Sequence, residues 1–131
     1  MKNKIIDSIK SLQNHKKQHF LLAVSGGIDS MVMLDFFNRN SNLVDISVCH
    51  VNHNYHSDSE KMSALVSTYC NDNNIPYIES SIDSSEIKSN IEAQLREKRY
   101  LELIKVCKKV NADHVVTAHH AADQIETILM K

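Results

Sequence analysis

The two glycines of this 131-residue chain are adjacent, at Gly26 and Gly27, and no others occur. An average composition would supply roughly nine glycines in a chain of this length. The pair follows a continuous apolar run at residues 20–24, which is typical of a buried strand, and precedes a segment with helical spacing. A glycine pair at a strand-to-helix turn predicts a backbone shape that other residues cannot adopt. This turn constrains the fold more than any other feature of the chain.

The turn reads Ser25-Gly26-Gly27-Ile28-Asp29-Ser30, a pattern suited to binding phosphate. Small residues let several backbone N–H groups point into one concavity, and the helix starting near Ser30 adds its positive dipole end. The hydroxyls of Ser25 and Ser30 can donate further hydrogen bonds. Asp29 fits beside a phosphate if Mg²⁺ lies between them, so the pattern predicts a metal-bridged nucleotide. The alternative is an ordinary Gly-Gly turn capped by serine.

The glycine loop does not match the common nucleotide-binding motifs. It is not a Walker A sequence, because no Gly-Lys-Ser/Thr follows, and no GxGxxG is present. It resembles instead the pyrophosphate loop of the ATP pyrophosphatase superfamily. That resemblance implies that ATP is cleaved between its α and β phosphates and that pyrophosphate leaves from the loop.

Hydrophobic periodicity predicts strands that alternate with helices along the chain. We predict strands at residues 20–24, 43–48, 75–78 and 114–118. We predict helices at residues 5–12 and 30–38, a third that starts at a Ser57–Glu60 capping box and ends at 70, a fourth that starts at an Asn90 cap and ends at 110, and a fifth from 123 onward. This order predicts an α/β fold with a parallel sheet covered by helices on both faces. Ligands are then expected beyond the carboxyl ends of the strands, where segments 25–30, 50–53 and 119–123 converge.

Length, charge and cysteine content exclude several classes of protein. A chain of 131 residues has room for one domain. Since 15 Lys and Arg against 16 Asp and Glu give no surface-wide basic field, an RNA contact must be local or lie outside this chain. Cys49, Cys70 and Cys107 are widely spaced, which indicates a reducing compartment rather than a disulfide framework. With no signal peptide and no apolar stretch of membrane length, we expect a cytoplasmic protein without a membrane partner.

Four segments, in order, are similar to the bacterial tRNA(Ile)-lysidine synthetases, and the resemblance covers the chain from residue 20 onward. The segments are the glycine loop, His50-Val51-Asn52-His53, Asn90-Ile91-Glu92-Ala93 with Arg96 and Arg99-Tyr100, and residues 117–127. The family adenylates the C2 oxygen of the cytidine at the first anticodon position and displaces AMP with the ε-amine of lysine. The resemblance implies an adenine nucleotide alpha hydrolase-like fold, ATP and Mg²⁺ as cofactors, and L-lysine and tRNA(Ile) with a CAU anticodon as substrates.

Three polar residues that follow the fourth predicted strand are candidates for binding lysine. His119, Asp123 and Glu126 are spaced i, i+4 and i+7, so they share one face if the helix extends back to the histidine. Two carboxylates suit a cationic amino acid, and lysine's amine, with an ordinary pKa of about 10.4, must lose a proton before it attacks. Asp123 or Glu126 could hold the ammonium group and accept that proton.

Arg96 and Arg99 are candidates for binding the lysine carboxylate or the α-phosphate through their planar guanidinium groups. The resemblance favours Arg99, which joins Asp29, Asp123 and Glu126 in the expected catalytic set. The alternative is that both arginines pair with acids on the surface of their own helix, such as Glu92 or Glu102.

The histidines of the second segment have two interpretations. The resemblance places His53 within reach of ATP. The spacing of His50, His53 and His56 also invites a zinc assignment, but a strand-to-loop segment gives no fixed tetrahedral geometry.

The chain departs from the family pattern at two positions and in length. Ala122 stands where the family has an acid, and Tyr55-His56 stands where Leu-Arg is common. We expect residues 1–131 to be a partial catalytic domain with four strands, which lacks a fifth strand and the C-terminal tRNA-binding domains. The fourth strand would then leave an open sheet edge, which favours a homo-oligomer. Another enzyme of the superfamily, a tRNA thiolase or an amidotransferase, and a non-catalytic ATP-binding module remain alternatives.

Overall fold

A computed structural model describes residues 17–52, 59–82, 89–118 and 125–129. Within these ranges the chain forms, in order, β1 (His19–Ala23), α1 (Ile28–Arg39), β2 (Asp45–Asn52), α2 (Ser59–Asp72), β3 (Tyr77–Ser81), α3 (Ile91–Val110), β4 (His114–Ala118) and β5 (Ile125–Leu129). The predicted helix at residues 5–12 and the Ser57 side of the predicted capping box lie outside the described residues. Over the described ranges, no helix combines the length and apolar character needed to cross a membrane.

The strands form one sheet in the order β3-β2-β1-β4-β5. Neighbours among β1 to β4 run parallel, with Ala23 opposite both Cys49 and Thr117, so the carboxyl ends of these four strands lie at one edge. The chain reverses its direction of winding between β1 and β4, which is where open α/β sheets bind ligands. The prediction of a parallel α/β sheet is confirmed.

Two hydrophobic layers cover the sheet because alternate residues of the buried strands face opposite sides. Leu22 and Val48 pack with Phe37 of α1 and Val66 of α2 on one side. On the other side, α3 covers the second layer with buried residues along one stripe: Leu103, Val106 and Cys107 against Leu21, Cys49 and Val115. The predicted coverage of both faces is confirmed.

Strands β2 and β3 extend further than their sequence patterns predict. Residues 50–52 were expected in a loop but belong to β2, because β3 pairs with them through Asn52 opposite Ser81. Likewise β3 starts after Pro76, which has no N–H to donate, and continues to Ser81. The predicted strand at residues 75–78 is therefore shifted: it starts two residues later and ends three residues later than expected.

The predicted helix from residue 123 is wrong over residues 125–129, which form β5 antiparallel to β4. Two isoleucines and a threonine make this run compatible with a strand, and the outer edge of β4 offers backbone partners. The expectation that β4 has an open edge is also wrong, since β4 pairs with β1 on one side and β5 on the other.

Positive φ angles outside glycine occur, in the described part of the chain, at three asparagines that flank helices. These residues are Asn74 (φ 56°) after α2, Asn90 (φ 48°) before α3 and Asn111 (φ 58°) after α3. Asparagine tolerates the left-handed conformation better than most residues. Asn90 occupies the predicted N-cap position, although its side chain makes no capping hydrogen bond.

Candidate functional site

The glycine loop connects β1 to α1 at the carboxyl edge of the sheet, at the position the sequence predicts. Gly26 has a φ of +95°, a conformation that residues with a side chain rarely adopt. A Cβ atom at this position would also lie 2.9 Å from the Cβ of Met62 and 3.2 Å from its backbone. The close approach of α2 to the loop therefore excludes any larger residue at Gly26.

Gly27 is under different constraints, although it is adjacent. It is the N-cap of α1 with extended dihedrals of −74° and 165°, and a Cβ would meet only Ser25 Oγ at 3.5 Å. Its carbonyl accepts the N–H of Met31, the first hydrogen bond of the helix. Gly27 thus starts α1, whereas Gly26 shapes the loop.

Ser30 stabilises the loop from inside. Its side chain is buried, and its Oγ accepts the backbone N–H groups of Ser25 at 3.2 Å and Gly26 at 3.1 Å. The same hydroxyl donates to the Gly27 carbonyl at 3.0 Å. The Ser25 hydroxyl lies 3.1 Å from Ser30 Oγ and accepts the Gly27 N–H at 3.3 Å. These bonds fix the loop before any ligand binds.

The first turn of α1 offers donors to an anion. No side chain caps this helix end, so its leading N–H groups are available on the side that carries the positive dipole end. Ile28, at the start of the helix, is 82% exposed. Asp29 lies in the same turn and is partly exposed. This arrangement can hold a phosphate group, with one carboxylate beside it.

Metal binding by the protein alone is not indicated in the described ranges, where no three His, Cys, Asp or Glu side chains cluster. The Nδ1 atom of His50, one of the histidines considered for zinc, lies 2.8 Å from the Val24 carbonyl oxygen. Mg²⁺ commonly binds through one or two carboxylates and the phosphates of a nucleotide. A single carboxylate, Asp29, beside an anion-binding helix end fits that mode.

A polar cluster joins the start of α2 to the outer strand β3. The carboxylate of Glu79 accepts a hydrogen bond from the Ser63 hydroxyl and one from the Tyr77 hydroxyl at 3.0 Å. The Ser63 bond, followed by the Tyr77 bond, lowers the pKa of Glu79. Burial, with smaller effects from Glu79, raises the pKa of Tyr77 to about 12. Because Met62 contacts Gly26, this cluster helps to hold the helix against which the loop packs.

Helix α3 presents the two candidate arginines in its amino-terminal half. Arg99 lies one turn before the buried Leu103 on the same face, and both Arg96 and Arg99 are exposed. Arg96 donates to the Tyr100 hydroxyl at 3.2 Å and lies over its ring at 5.3 Å. No hydrogen bond or ion pair joins the side chain of Arg99 to another described residue, and Glu102 instead accepts a hydrogen bond from Ser80. Among the described residues, Arg99 is therefore the arginine of this pair that is available to a ligand.

The structure gives less information on the other predicted site residues. His53, His119 and Asp123 lie outside the described residues. Glu126 lies in β5 opposite Thr117, so the expected helical face shared with His119 and Asp123 does not form at Glu126. Sequence analysis missed the approach of Met62 to Gly26, the bond between Ser63 and Glu79, and the bond of His50 to Val24. Each of these contacts joins residues that are distant in the chain.

The fold and the position of the loop define an α/β protein of the PP-loop type. The chain belongs to the PP-loop domain family, whose model matches residues 1–131. A solved U34-tRNA thiolase, NcsA of Methanococcus maripaludis, shares this fold with a TM-score of 0.72 at 15% identity, over 89% of this chain and 45% of that one.

Curated relatives include proteins named tRNA(Ile)-lysidine synthase, as the motifs predict. That of Mesoplasma florum is 40% identical over 114 residues, covering 86% of this chain and 28% of the relative. That of Mycoplasmopsis pulmonis is 39% identical over 111 residues, covering 85% and 37%. The bifunctional protein TilS/HprT of Listeria monocytogenes is 41% identical over 118 residues, covering 85% and 18%. The chain thus spans well under half the length of these relatives.

Proposed function

We propose that this chain carries the ATP-binding and lysine-binding part of a tRNA(Ile)-lysidine synthetase. The observation that carries the proposal is the loop at the end of β1, where Gly26 adopts a left-handed conformation and α1 presents an uncapped amino terminus. Together they suit a diphosphate group. The named relatives support the choice of tRNA(Ile) as the nucleic acid. A CAU anticodon in that tRNA is part of the same proposal.

In the proposed reaction the C2 oxygen of the anticodon cytidine attacks the α-phosphorus of ATP. The bond between the α-phosphorus and the bridging oxygen breaks, and pyrophosphate leaves with that oxygen. The ε-amine of lysine, after losing a proton, then attacks C2, and the C2–O bond breaks to release AMP. The leading backbone N–H groups of α1, those of Ile28, Asp29 and Ser30, favour the charge that develops on the leaving group. Mg²⁺, held beside Asp29, would supply additional charge neutralisation.

Lysine recognition is assigned to Arg99, with His119, Asp123 and Glu126 as companions. Arg99 suits the amino acid carboxylate, because guanidinium binds carboxylate through two parallel hydrogen bonds. Carboxylates at Asp123 and Glu126 suit the ammonium group. The contribution of His53 to the ATP site belongs to the same proposal.

Thiol-based chemistry is not favoured by the described cysteines. Cys49, Cys70 and Cys107 are all buried. Burial raises the pKa of Cys49 to about 12 and that of Cys70 to about 11, so both thiols stay protonated at neutral pH. A thiolate is the reactive form of cysteine. These three residues are therefore better explained as part of the core.

Calorimetry on the chain tests nucleotide binding directly. We expect ATP with Mg²⁺ to bind, and Asp29→Ala to weaken binding in Mg²⁺ by about tenfold or more, with a smaller effect when Mg²⁺ is omitted. Absence of ATP binding to the folded wild-type chain would reject the proposal. Binding without turnover, when lysine and tRNA(Ile) transcript are supplied, would identify a non-catalytic nucleotide-binding module.

Lysine binding is tested with a matched pair of arginine variants. We expect Arg99→Ala to weaken lysine binding to the ATP-loaded chain by about tenfold, since it removes a charge-assisted pair. Arg96→Ala is the control, because Arg96 lies on the same helix but is engaged with Tyr100. Equal effects of the two substitutions would contradict the assignment of Arg99.

A further inference from the structure

His50 is a buried histidine beside the glycine loop that the proposed reaction does not use. Its side chain is only 4% exposed, and its Nδ1 atom lies 2.8 Å from the carbonyl oxygen of Val24. A carbonyl oxygen can only accept, so Nδ1 must carry a hydrogen and donate it. In the neutral imidazole, Nε2 is then the unprotonated nitrogen.

Val24 lies between the last residue of β1, Ala23, and the first residue of the loop, Ser25. Its N–H donates to the Cys49 carbonyl at 3.0 Å, and its carbonyl accepts from the His50 side chain. The paired ladder between β1 and β2 ends with Ala23 opposite Cys49. The His50 imidazole therefore provides a further bond at the point where the main chain turns away from its neighbour.

We propose that His50 is a positioning residue that holds the glycine loop on the sheet through the Val24 carbonyl. The bonds around Ser30 order the loop internally, but all of them join residues 25–30 to one another. Fixing the loop relative to the strands requires contacts outside it, and Val24 provides one immediately before the loop. Val24 is 2% exposed, so its carbonyl would have little access to water if the imidazole were removed.

This role rests on the proposed function, in which the loop binds the pyrophosphate part of ATP. Displacing the loop should weaken ligands that contact it and leave ligands that do not contact it unaffected. Inorganic pyrophosphate and ATP, both with Mg²⁺, report on the loop, whereas AMP lacks the two leaving phosphates. The ratio of pyrophosphate to AMP affinity therefore separates positioning from a general loss of stability.

The variants His50→Leu, His50→Asn and His50→Gln, made in the full chain, test the proposal. Leucine removes the donor, asparagine keeps an N–H donor near the position of Nδ1, and glutamine moves the donor one atom further out. We expect His50→Leu and His50→Gln to weaken pyrophosphate and ATP binding by about tenfold, the factor for losing one buried hydrogen bond. AMP binding should change by less than about twofold, and His50→Asn should restore most of the affinity.

His114→Leu is the matched control. His114 is also a buried histidine, but it lies at the amino end of β4, where its Nε2 is within 3.1 Å of Gln18 Oε1. This variant should lower the melting temperature without changing the ratio of pyrophosphate to AMP affinity. If His50→Leu does not fold, the comparison of His50→Asn with His50→Gln carries the same test.

Amide hydrogen exchange gives a ligand-independent measurement. The amides of Gly26 and Gly27 should exchange about tenfold faster in His50→Leu than in the wild type, relative to the amides of β4. Unchanged exchange, or equal losses of pyrophosphate and AMP affinity, would overturn the role of His50. Failure of the wild-type chain to bind ATP would instead reject the proposed function, while the exchange rates would still decide on His50.

Discussion

Gly26 and Gly27 differ in what they contribute, although they are adjacent and identical in type. Gly26 is required by its left-handed backbone and by the approach of Met62, whereas Gly27 has dihedrals that any residue can adopt and space for a Cβ. The sequence motif presents both glycines as equivalent. The structure shows that the conformational requirement lies at Gly26.

Substitution by alanine should therefore destabilise the protein much more at Gly26 than at Gly27. Gly26→Ala should lower the free energy of unfolding by about 1 to 3 kcal/mol, from backbone strain and the contact with Met62, and should abolish ATP binding. Gly27→Ala should change the free energy of unfolding by less than about 1 kcal/mol. Urea denaturation and calorimetry measure both effects. Equal destabilisation by the two variants would show that the loop conformation differs from the one described.

Helix α2 supports the glycine loop, and its own attachment depends on Glu79. The carboxylate joins Ser63 on α2 to Tyr77 on β3. Since Ser63 and Met62 are consecutive, the cluster determines where the backbone that contacts Gly26 lies. Binding at the loop and packing at the sheet edge are thus linked through one turn of a helix.

The low pKa of Glu79 predicts a pH-dependent contribution to stability. A carboxylate whose pKa is lower in the folded state than its ordinary value of 4.5 stabilises the fold above that value. The contribution is lost as the pH falls through the lowered pKa. Because Glu79 is exposed, we expect it to be under about 1 kcal/mol.

Thermal unfolding of Glu79→Gln across pH 3 to 7 tests this prediction. The wild type should be more stable than the variant at neutral pH, and the difference should decrease below about pH 4. Glu97→Gln is the control, because Glu97 is exposed on α3 and its side chain makes no hydrogen bond or ion pair with another described residue. A pH-independent difference between the wild type and Glu79→Gln would contradict the role assigned to the carboxylate.

Sequence analysis predicts the type of a secondary-structure element correctly where the local residue pattern determines it. It does not do so where pairing with a distant segment determines the type. The run at residues 114–118 was predicted with the bounds that the structure shows, because its centre, Val115-Val116-Thr117, is β-branched and therefore typical of a strand. Residues 125–129 have a pattern compatible with either a helix or a strand, and the edge of β4 decides between them. For the site, the loop was evident from its glycines, whereas the contact of His50 with Val24 joins residues 26 positions apart.

At the scale of the whole molecule, β5 covers an edge that would otherwise be open. It pairs with β4 from Ile125 opposite Ala118 to Leu129 opposite His114, along the full length of β4. The antiparallel pairing with β5 provides hydrogen-bond partners for the backbone groups on the side of β4 that faces away from β1. A strand edge whose backbone groups have no partners promotes association between chains.

Removing residues 125–131 should therefore increase self-association. In the shortened chain the edge strand is β4, whose Val115 and Val116 belong to the core, instead of β5. We expect dimers or larger species in sedimentation velocity at concentrations where the full chain sediments as a smaller species. Removing only residues 130–131 is the control, since it leaves β5 intact. Identical sedimentation of all three chains would show that β5 does not protect this edge.

The three left-handed asparagines beside α2 and α3 affect the denatured chain as well as the native one. An asparagine samples fewer backbone conformations than a glycine, so ordering Asn74, Asn90 and Asn111 sacrifices less conformational entropy than ordering three glycines would. A chain with a modest core thereby limits the entropic penalty of its bends, and glycine's full backbone freedom is kept only in the loop that we propose binds phosphate.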